Sequence, residues 1–242
     1  MRFIRALGGL AALRPATELE REQVAAKAVE LVLSMGGEVY LGLGTGSTVE
    51  VFGRVLRERG AARVVRAAIP TSRQSEEVAR RAGLRVTGLA ECPEPDVYVD
   101  SFDLVDPKGN SVKGGGAAVA REKVLMRASR RVVLLGDSGK LVERLRGPVP
   151  VEALPFAVDY LLRLFNSMGL SPRLREGTGK AGPVVTENGN FVLDLMVGEL
   201  GDVAAMELEV KSLPGVVEVG LCPNRGYVVL VGKGKEVLEL GR

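Results

Sequence analysis

A lysine followed by three glycines is the segment of this sequence best suited to chemistry. Lys113 precedes Gly114, Gly115 and Gly116, and a helix-forming run that contains Glu122 starts directly after them. Glycines leave backbone N–H groups unobstructed and a helix start carries a partial positive charge, so this KGGG loop (residues 113–116) favours an anion. An anion-stabilising loop beside a carboxylate suits proton abstraction next to a carbonyl, where the resulting enediolate must be stabilised.

A second glycine-rich loop could hold a phosphate. Thr45, Gly46, Ser47 and Thr48 (the TGST loop) follow a short apolar strand and precede a helix, so N–H groups and hydroxyls would converge there. No lysine follows in the frame of a Walker loop, and the spacing G-x-G-x-G differs from the dinucleotide-binding fingerprint. A tight turn with a purely structural role is the alternative interpretation.

Three further charged residues follow predicted strands. Asp100 and Asp103 lie at the carboxyl end of one strand, where open α/β sheets place their ligands, and such carboxylates can move protons to sugar hydroxyls. Lys140 follows another strand and could act as a point cation for a phosphate. Taken singly, these residues also fit turn caps or solvated side chains, as do Lys113 and Glu122. Because all of these features fall at carboxyl ends of strands, we expect them to meet on one rim of a sheet.

The composition restricts the mechanism. The 242 residues include no histidine, which excludes Ser-His-Asp and Cys-His catalysis and removes the commonest transition-metal ligand. The two cysteines, Cys92 and Cys222, form no CxxC pair and support neither a zinc site nor a disulfide framework. We therefore expect no metal and no cofactor, and a general base that is Asp, Glu, Lys, Tyr or Cys.

Charge and hydropathy argue against nucleic-acid and membrane partners. The net charge is only +3, tryptophan is absent and aromatic residues make up 4% of the chain, which disfavours base-stacking modules. No apolar run is long enough to span a bilayer. Residues 1–17 loosely imitate a secretory signal, but the apolar part is short and no clear cleavage site follows, so we expect a dispensable extension or a mis-assigned start. The prediction is a cytoplasmic protein.

Alternating helices and strands must position the candidate residues. In the first part of the chain the strands show little polar alternation, which indicates a mostly parallel sheet covered on both faces. A turn at residues 106–110 predicts a hairpin. The expected helices are Glu18–Met35, Val49–Arg59, Ser72–Ala82 and Ala117–Ser129, and the expected strands are Val39–Leu43, Val64–Ile69, Arg85–Thr87, Val97–Asp100 and Arg131–Leu135.

The pattern changes near Arg146. We predict a Rossmann-like catalytic domain over residues 1–146, to which 224–242 return, and a smaller α+β, ferredoxin-like domain over 147–223 that serves oligomerisation. A hairpin turn at 187–190 supports the second unit. Its expected elements are Val149–Val151, Phe156–Met168, Arg173–Arg175, Val184–Thr186, Asn190–Leu195, Glu199–Lys211 and Val216–Leu221, followed by a final strand, Tyr227–Val231.

The motifs also occur in a distinctive order. TGST, D-x-x-D, KGGG with R-E-K close behind, and a later lysine follow one another along the chain. Together with four further segments, this order resembles ribose-5-phosphate isomerase of the A type over nearly the whole chain from about Glu20. The four segments are Ile69–Ser72, Val151–Ala157, Thr186–Asn190 and Pro214–Glu218.

The resemblance implies a metal-free interconversion of ribose 5-phosphate and ribulose 5-phosphate in the pentose phosphate pathway, by a homodimer or homotetramer. The TGST loop and Lys140 would hold the substrate, chiefly around its phosphate. Asp100 and Asp103 would contact hydroxyls and assist ring opening. Lys113 and the glycines of the KGGG loop would stabilise oxyanion charge, and Glu122 would move a proton between C2 and C1.

Some positions depart from the family pattern. Phe102 is bulky where a small residue is usual, so a different pocket wall is expected. The string at 136–140 keeps its lysine with a changed spacing, and Cys222 stands where phenylalanine is usual. Many members carry a lysine pair near the positions of Glu22 and Gln23, so one phosphate contact is expected to be missing.

Two other classes of protein share features with this sequence. A related fold serves sugar-phosphate-sensing regulators and acyl-CoA transferases, but we find neither a helix-turn-helix module nor the transferase glutamate motif. A non-catalytic sugar-phosphate binding module is the second class, and a turnover assay separates it from an enzyme.

Overall fold

Helices and strands alternate through the first part of the chain. The structure is a computed structural model that describes residues 18–179 and 181–241, so the expected extension over residues 1–17 lies outside the described residues. The elements are α1 (Glu18–Leu33), β1 (Val39–Leu43), α2 (Ser47–Glu58), β2 (Val65–Pro70), α3 (Arg73–Arg81), β3 (Val97–Ser101), β4 (Leu104–Val105), β5 (Ser111–Val112), α4 (Val119–Ala128) and β6 (Arg131–Asp137).

The remaining elements begin at Val149 and start with a strand, a helix and a strand. They are β7 (Val149–Ala153), α5 (Val158–Ser167), β8 (Pro172–Leu174), β9 (Phe191–Leu195), α6 (Val203–Lys211), β10 (Val216–Val219), β11 (Leu221–Cys222), β12 (Val228–Lys233) and β13 (Glu236–Leu240). In the described part of the chain no helix is long and apolar enough to cross a membrane.

A six-stranded sheet carries the first unit, in the order β13-β12-β6-β3-β1-β2. Its pairs are parallel except for β13, which runs antiparallel to β12. One face packs against α1, α2 and α3 through a large apolar core, and Leu125 and Met126 of α4 pack on the other face. The predicted mostly parallel sheet with helices on both faces is confirmed.

A separate antiparallel sheet forms the second unit, in the order β10-β7-β9-β8. The sequence of elements, β7-α5-β8-β9-α6-β10, is the double βαβ arrangement of ferredoxin-like folds. Leu161 and Phe165 of α5 are fully buried against Val151 and Leu193 of the sheet. The predicted α+β unit is therefore present. The domain boundaries themselves stay a prediction.

A small third sheet links the two units. It has the order β11-β5-β4, and the predicted turn at 106–110 joins β4 to β5. The expected single strand Val216–Leu221 is wrong, because the chain bends at Gly220 and Leu221 pairs with Val112 instead. A Cβ at Gly220 would overlap the carbonyl oxygen of Lys113, whose own N–H donates to the Gly220 carbonyl at 2.8 Å. Glycine thus lets the two backbones touch at the start of the KGGG loop.

Three other expectations about secondary structure need correction. The last helix starts at Val203 rather than Glu199, because the Asp202 carboxylate caps it by accepting the Ala205 N–H at 2.9 Å. The expected strands Arg85–Thr87 and Val184–Thr186 are reduced to isolated bridges, and β13 was not predicted.

Candidate active site

The carboxyl ends of β1, β3 and β6 meet at one edge of the large sheet. Leu43 pairs with Val99 and Val99 with Val133, so the residues that follow these strands lie side by side. The N–H of Thr45 donates to Oδ1 of Asp100 at 3.1 Å, which joins the TGST loop to the end of β3. The structure therefore brings the candidate residues to one rim, as alternating parallel strands require.

A buried lysine between two buried carboxylates lies at the centre of this rim. The Nζ of Lys113 is 2.6 Å from Oδ2 of Asp100 and 3.2 Å from Oε2 of Glu122, and it also donates to the Ser101 carbonyl. The side chains of Asp100, Lys113 and Glu122 are exposed by 0%, 3% and 2%. We call these three residues the carboxylate–lysine cluster. The hydroxyl of Tyr98, a residue that sequence reasoning missed, donates to Oδ2 of Asp100.

The surroundings shift the pKa values of this cluster in opposite senses. Burial raises the pKa of Glu122 to about 8, and the Asp100 charge adds to the rise while Lys113 opposes it. Burial alone would lower the pKa of Lys113, but the carboxylates of Asp100 and Glu122 hold it above its ordinary value. The lysine therefore stays charged, and Glu122 can take up and release a proton near neutral pH, as an acid–base catalyst requires.

The KGGG loop lies directly against the TGST loop. A Cβ on Gly116 would lie 2.8 Å from Cγ2 of Thr45. The Gly115 N–H donates to Oδ2 of Asp103 at 2.7 Å, so this aspartate holds the loop as well as facing the rim. Ala117 has φ 60, a left-handed conformation that costs a non-glycine residue about 1–2 kcal/mol. The surrounding contacts must supply that energy, so the loop conformation is imposed.

The TGST loop presents polar groups that the protein leaves open. The α2 helix begins at Ser47 without a side-chain cap, and Ser47 is exposed. Thr48 is buried, and within the described residues its hydroxyl has no hydrogen-bond partner. The Thr45 hydroxyl differs, because it is bonded to the hydroxyls of Thr71 at 2.9 Å and Ser72 at 2.7 Å. The loop can therefore offer N–H groups and the hydroxyls of Ser47 and Thr48 to an anion, whereas the N–H and the hydroxyl of Thr45 are already bonded within the protein.

Lys140 lies beside Phe102 on the same rim. Its Nζ donates to the Phe102 carbonyl at 2.7 Å and lies 5.9 Å from the centre of the ring. Burial lowers the pKa of Lys140, partly offset by Asp103 and Asp137. The ring of Phe102 is fully buried in the apolar core and packs against Gly136. The expectation that Phe102 would reshape the pocket wall is wrong, because its side chain turns into the core.

Sequence reasoning also missed Arg21. Its Nε lies 3.8 Å from Oδ2 of Asp137, and it lines a cavity of about 400 Å³ together with Ser47. Arg21 is also close enough to Lys140 to lower its pKa. A cation from α1 is therefore present on this side of the TGST loop, next to the positions where a lysine pair was expected to be missing. The sequence did contain a signal for this residue, because Arg21 directly precedes Glu22, one of the positions where a lysine is usual in the family.

Glu152 was not singled out as a functional residue either. It is fully buried on β7 and accepts the Ala120 N–H at 2.9 Å, in the first turn of α4. The Thr186 hydroxyl at 2.9 Å and the Asn190 amide at 2.8 Å also donate to it. This carboxylate fixes the helix that carries Glu122 to the second unit of the fold. Within residues 18–179 and 181–241, no group of three His, Cys, Asp or Glu side chains could hold a metal ion.

Comparison with known proteins identifies the family. The sequence model of the family ribose 5-phosphate isomerase A (phosphoriboisomerase A) matches residues 67–236. Ribose-5-phosphate isomerase A of Archaeoglobus fulgidus is 49% identical over 189 residues, which cover 76% of this chain and 82% of the relative. These matches place the chain among Rossmann-like sugar-phosphate enzymes. It belongs to the ribose 5-phosphate isomerase A family.

Solved structures agree with this assignment. Ribose 5-phosphate isomerase A from Methanocaldococcus jannaschii has a TM-score of 0.85 at 34% identity, covering 92% of this chain and 98% of that chain. A D-ribose-5-phosphate isomerase in complex with phospho-erythronic acid has a TM-score of 0.85 at 33% identity, covering 94% of this chain and 100% of that chain.

Proposed function

We propose that this enzyme interconverts ribose 5-phosphate and ribulose 5-phosphate through an enediolate. The observation that carries the proposal is the carboxylate–lysine cluster: one fixed positive charge, 2.6 and 3.2 Å from two buried carboxylates, beside a loop of backbone donors. Such an arrangement can remove a carbon-bound proton and stabilise the oxygen that becomes negative. The reaction belongs to the non-oxidative pentose phosphate pathway.

Proton transfer between the carbons is the work of Glu122. Its carboxylate removes the proton from C2 of the open-chain aldose, and the electron pair moves into the C1–C2 bond as the carbonyl oxygen becomes negative. The same carboxyl then returns the proton to C1, while the proton of the O2 hydroxyl passes to O1, so that O2 becomes the ketone oxygen and O1 becomes a hydroxyl. A pKa near the working pH suits a group that must act in both directions.

Lys113 and the KGGG loop stabilise the enediolate. The ammonium lies 3.2 Å from the carboxylate that serves as the base, so it also lies near the oxygens next to the reacting carbons. Asp100 and Asp103 accept and return hydroxyl protons during ring opening and transfer between the two oxygens. Asp100 also fixes Lys113, so its role combines positioning with proton transfer.

The phosphate binds between the TGST loop, Lys140 and Arg21. The exposed Ser47, the Thr48 hydroxyl that is unpartnered in the described part of the chain, the start of α2 and the cations of Lys140 and Arg21 suit a dianion. The TGST loop follows β1 and Lys140 follows β6, whereas Glu122 lies on α4, so the phosphate and the reacting carbons are assigned to different elements.

The second unit is proposed to mediate assembly into a homodimer or homotetramer. Leu154 and Tyr160 are nearly half exposed, and Phe156, which lies between them in the chain, is fully exposed. All three belong to the second unit, residues 147–223. Large exposed apolar residues in one place mark an interaction surface. Light scattering on Phe156→Asp tests this, since an unchanged mass would contradict it. Residues 1–146 with 224–242 are proposed to form the catalytic domain.

We also propose that the enzyme works in the cytoplasm, with sugar phosphates and its own copies as partners rather than nucleic acid or a membrane. Both cysteines are free and buried, which fits a reducing compartment.

A turnover assay tests the proposed function. We expect ribose 5-phosphate to be converted to ribulose 5-phosphate, with unphosphorylated ribose turned over far less efficiently at the same concentration. EDTA should leave the rate unchanged. Binding of ribose 5-phosphate without turnover would instead identify a sugar-phosphate binding module.

A further inference from the structure

An arginine of the second unit holds the KGGG loop by its carbonyl groups. Nη1 of Arg175 donates to the carbonyl of Gly114 at 2.9 Å and to that of Gly115 at 3.1 Å. The other side of the guanidinium is bound by Asp194 of β9, with Nε 2.8 Å from Oδ2 and Nη2 on Oδ1. Both charged side chains are more than four-fifths buried.

These bonds fix the direction of the peptide groups in the loop. In a trans peptide the C=O and the following N–H point in opposite directions. Because Arg175 takes the Gly114 carbonyl, the N–H of Gly115 points the other way, where Asp103 accepts it at 2.7 Å. Because Arg175 also takes the Gly115 carbonyl, the N–H of Gly116 points away from the second unit, and in the described part of the chain it donates to no protein acceptor.

The loop conformation needs such a constraint. Gly114 has φ 97 and Ala117 has φ 60, both in the left-handed region, and Ala117 gains nothing from its side chain that would favour it. The backbone of Arg175 is itself fixed, since its N–H donates to the Val192 carbonyl at 2.8 Å and its carbonyl accepts the Val184 N–H at 2.9 Å. The guanidinium is thus a rigid support for a strained loop.

We propose that Arg175 is a positioning residue for the isomerisation. It holds the KGGG loop so that the Gly116 N–H faces the oxygen that becomes negative in the enediolate, and its charge withdraws electrons from the peptide groups that it binds. The inference rests on the proposed function. It predicts a role for a residue of the second unit in a reaction whose other proposed groups all lie before that unit in the chain.

The geometry requires arginine rather than any cation. Four N–H groups of one planar guanidinium serve two carbonyls and a carboxylate simultaneously, which the point charge of a lysine cannot do. A substitution that keeps the charge but loses the planar group therefore separates positioning from electrostatics.

The experiment compares Arg175→Ala, Arg175→Lys and the control Arg173→Ala with the wild-type full-length protein. Arg173 lies two residues earlier on β8 and is exposed, so it matches the loss of charge without touching the loop. We measure kcat and KM for ribose 5-phosphate. We also measure inhibition by phospho-erythronic acid, whose carboxylate resembles the planar anionic enediolate, and by inorganic phosphate, which tests the proposed phosphate site alone.

We expect Arg175→Ala and Arg175→Lys to lose about 10- to 100-fold in kcat, somewhat less than loss of an oxyanion donor itself, with KM changed less than threefold. Inhibition by phospho-erythronic acid should weaken by a similar factor, inhibition by inorganic phosphate should not change, and added guanidinium ion should restore part of the activity of Arg175→Ala. Arg173→Ala should behave as wild type.

Three results would overturn the proposal: kcat within twofold of wild type in folded Arg175→Ala, full activity of Arg175→Lys, or equal weakening of both inhibitors with no guanidinium rescue. If Arg175→Ala does not fold, Asp194→Asn gives the same test, because it leaves Arg175 in place while weakening its support. It should lower kcat with KM unchanged, and an unchanged kcat would overturn the proposal. A wild-type protein without turnover would instead refute the proposed function.

Discussion

The carboxylate–lysine cluster and the TGST loop meet the same substrate in opposite ways. In the cluster Lys113 forms ion pairs with both Asp100 and Glu122, and all three side chains are almost fully buried, although Oε2 of Glu122 accepts no hydrogen bond within the described residues. In the TGST loop the Thr48 hydroxyl has no partner within the described residues, and Ser47 faces solvent. The charges of the first region are paired with one another before substrate arrives, whereas the second region keeps polar groups that a substrate can bind.

The chemistry of the two ends of the substrate accounts for this difference. Charge appears on the enediolate oxygens only during the reaction, so the groups that stabilise it must be fixed in advance, which requires burial and mutual pairing. The phosphate carries its charge throughout, so its contacts bind ground state and transition state alike. Substitutions in the cluster should therefore act on kcat, and substitutions around the phosphate on KM.

Removing the lysine should have the largest combined effect on kcat and on stability. Lys113→Met places two buried carboxylates side by side without a cation, so we expect kcat to fall about 10²–10³-fold. The free energy of unfolding should fall by about 3–5 kcal/mol, because breaking a buried ion pair leaves charges uncompensated. Steady-state kinetics and denaturant unfolding measure both changes, with the exposed Lys211→Met as control. A large loss of kcat without any loss of stability would show that the cluster is not internally paired.

The pH profile should report Glu122. The base acts as its carboxylate, and its pKa in the free enzyme is about 8, so kcat/KM should rise with pH and level off above about 8. Below that pH it should fall about tenfold per unit, since only the ionised fraction is active. The limb should disappear in Glu122→Gln. A profile that is flat between pH 6 and 9 would place the pKa or the base elsewhere.

Removing Lys140, one of the two cations proposed to bind the phosphate, should affect substrate binding more than the chemical step. Lys140→Ala should raise KM for ribose 5-phosphate by about tenfold or more while kcat changes less than about threefold, because phosphate contacts act as uniform binding. Discrimination against free ribose should fall in parallel. An unaltered KM would mean that the phosphate binds at another loop, and Lys235→Ala, an exposed lysine on the β12–β13 turn, serves as control.

The smallest effect is expected at Thr48. Thr48→Val removes a buried hydroxyl that has no partner within the described residues, so stability should be unchanged or rise by up to about 1 kcal/mol. KM should nevertheless rise a few-fold, because the hydroxyl pairs with the phosphate. Thermal unfolding and kinetics on the same preparation test this. A clear loss of stability would show that the hydroxyl has a protein partner, and the contrast with the cluster would fail.

Much of the fold and the rim could be predicted from the sequence, because parallel strands put their carboxyl ends at one edge. Apolar strands followed by glycines, aspartates and lysines therefore suffice to bring Thr45, Asp100 and Lys140 together. The contributions of Arg175 and Glu152 could not be predicted this way. Both come from the second unit and act on the KGGG loop and α4 through contacts between residues more than thirty positions apart, which local periodicity does not encode.

The exposure of individual side chains could not be predicted from the sequence either. Phe102 lies between two aspartates of the site, and only the packing against Gly136 shows that its ring turns into the core. The Thr45 hydroxyl is hydrogen-bonded to Thr71 and Ser72, which are distant in sequence. The Thr48 hydroxyl has no hydrogen-bond partner within the described residues. A motif shows which residue types are present, but tertiary contacts decide which of their hydrogen-bonding groups stay unpaired.

Hydrogen exchange in D₂O tests most directly whether Glu122 is the base at C1 and C2. The wild-type enzyme should incorporate solvent deuterium at C2 of ribose 5-phosphate or C1 of ribulose 5-phosphate, as seen by NMR. Glu122→Gln should slow both exchange and turnover by about 10²–10⁴-fold while still binding phospho-erythronic acid and inorganic phosphate. The exposed Glu77→Gln on α3 is the matched control and should exchange at the wild-type rate. Exchange at the wild-type rate in folded Glu122→Gln would contradict the account, because another group would then have to carry the proton.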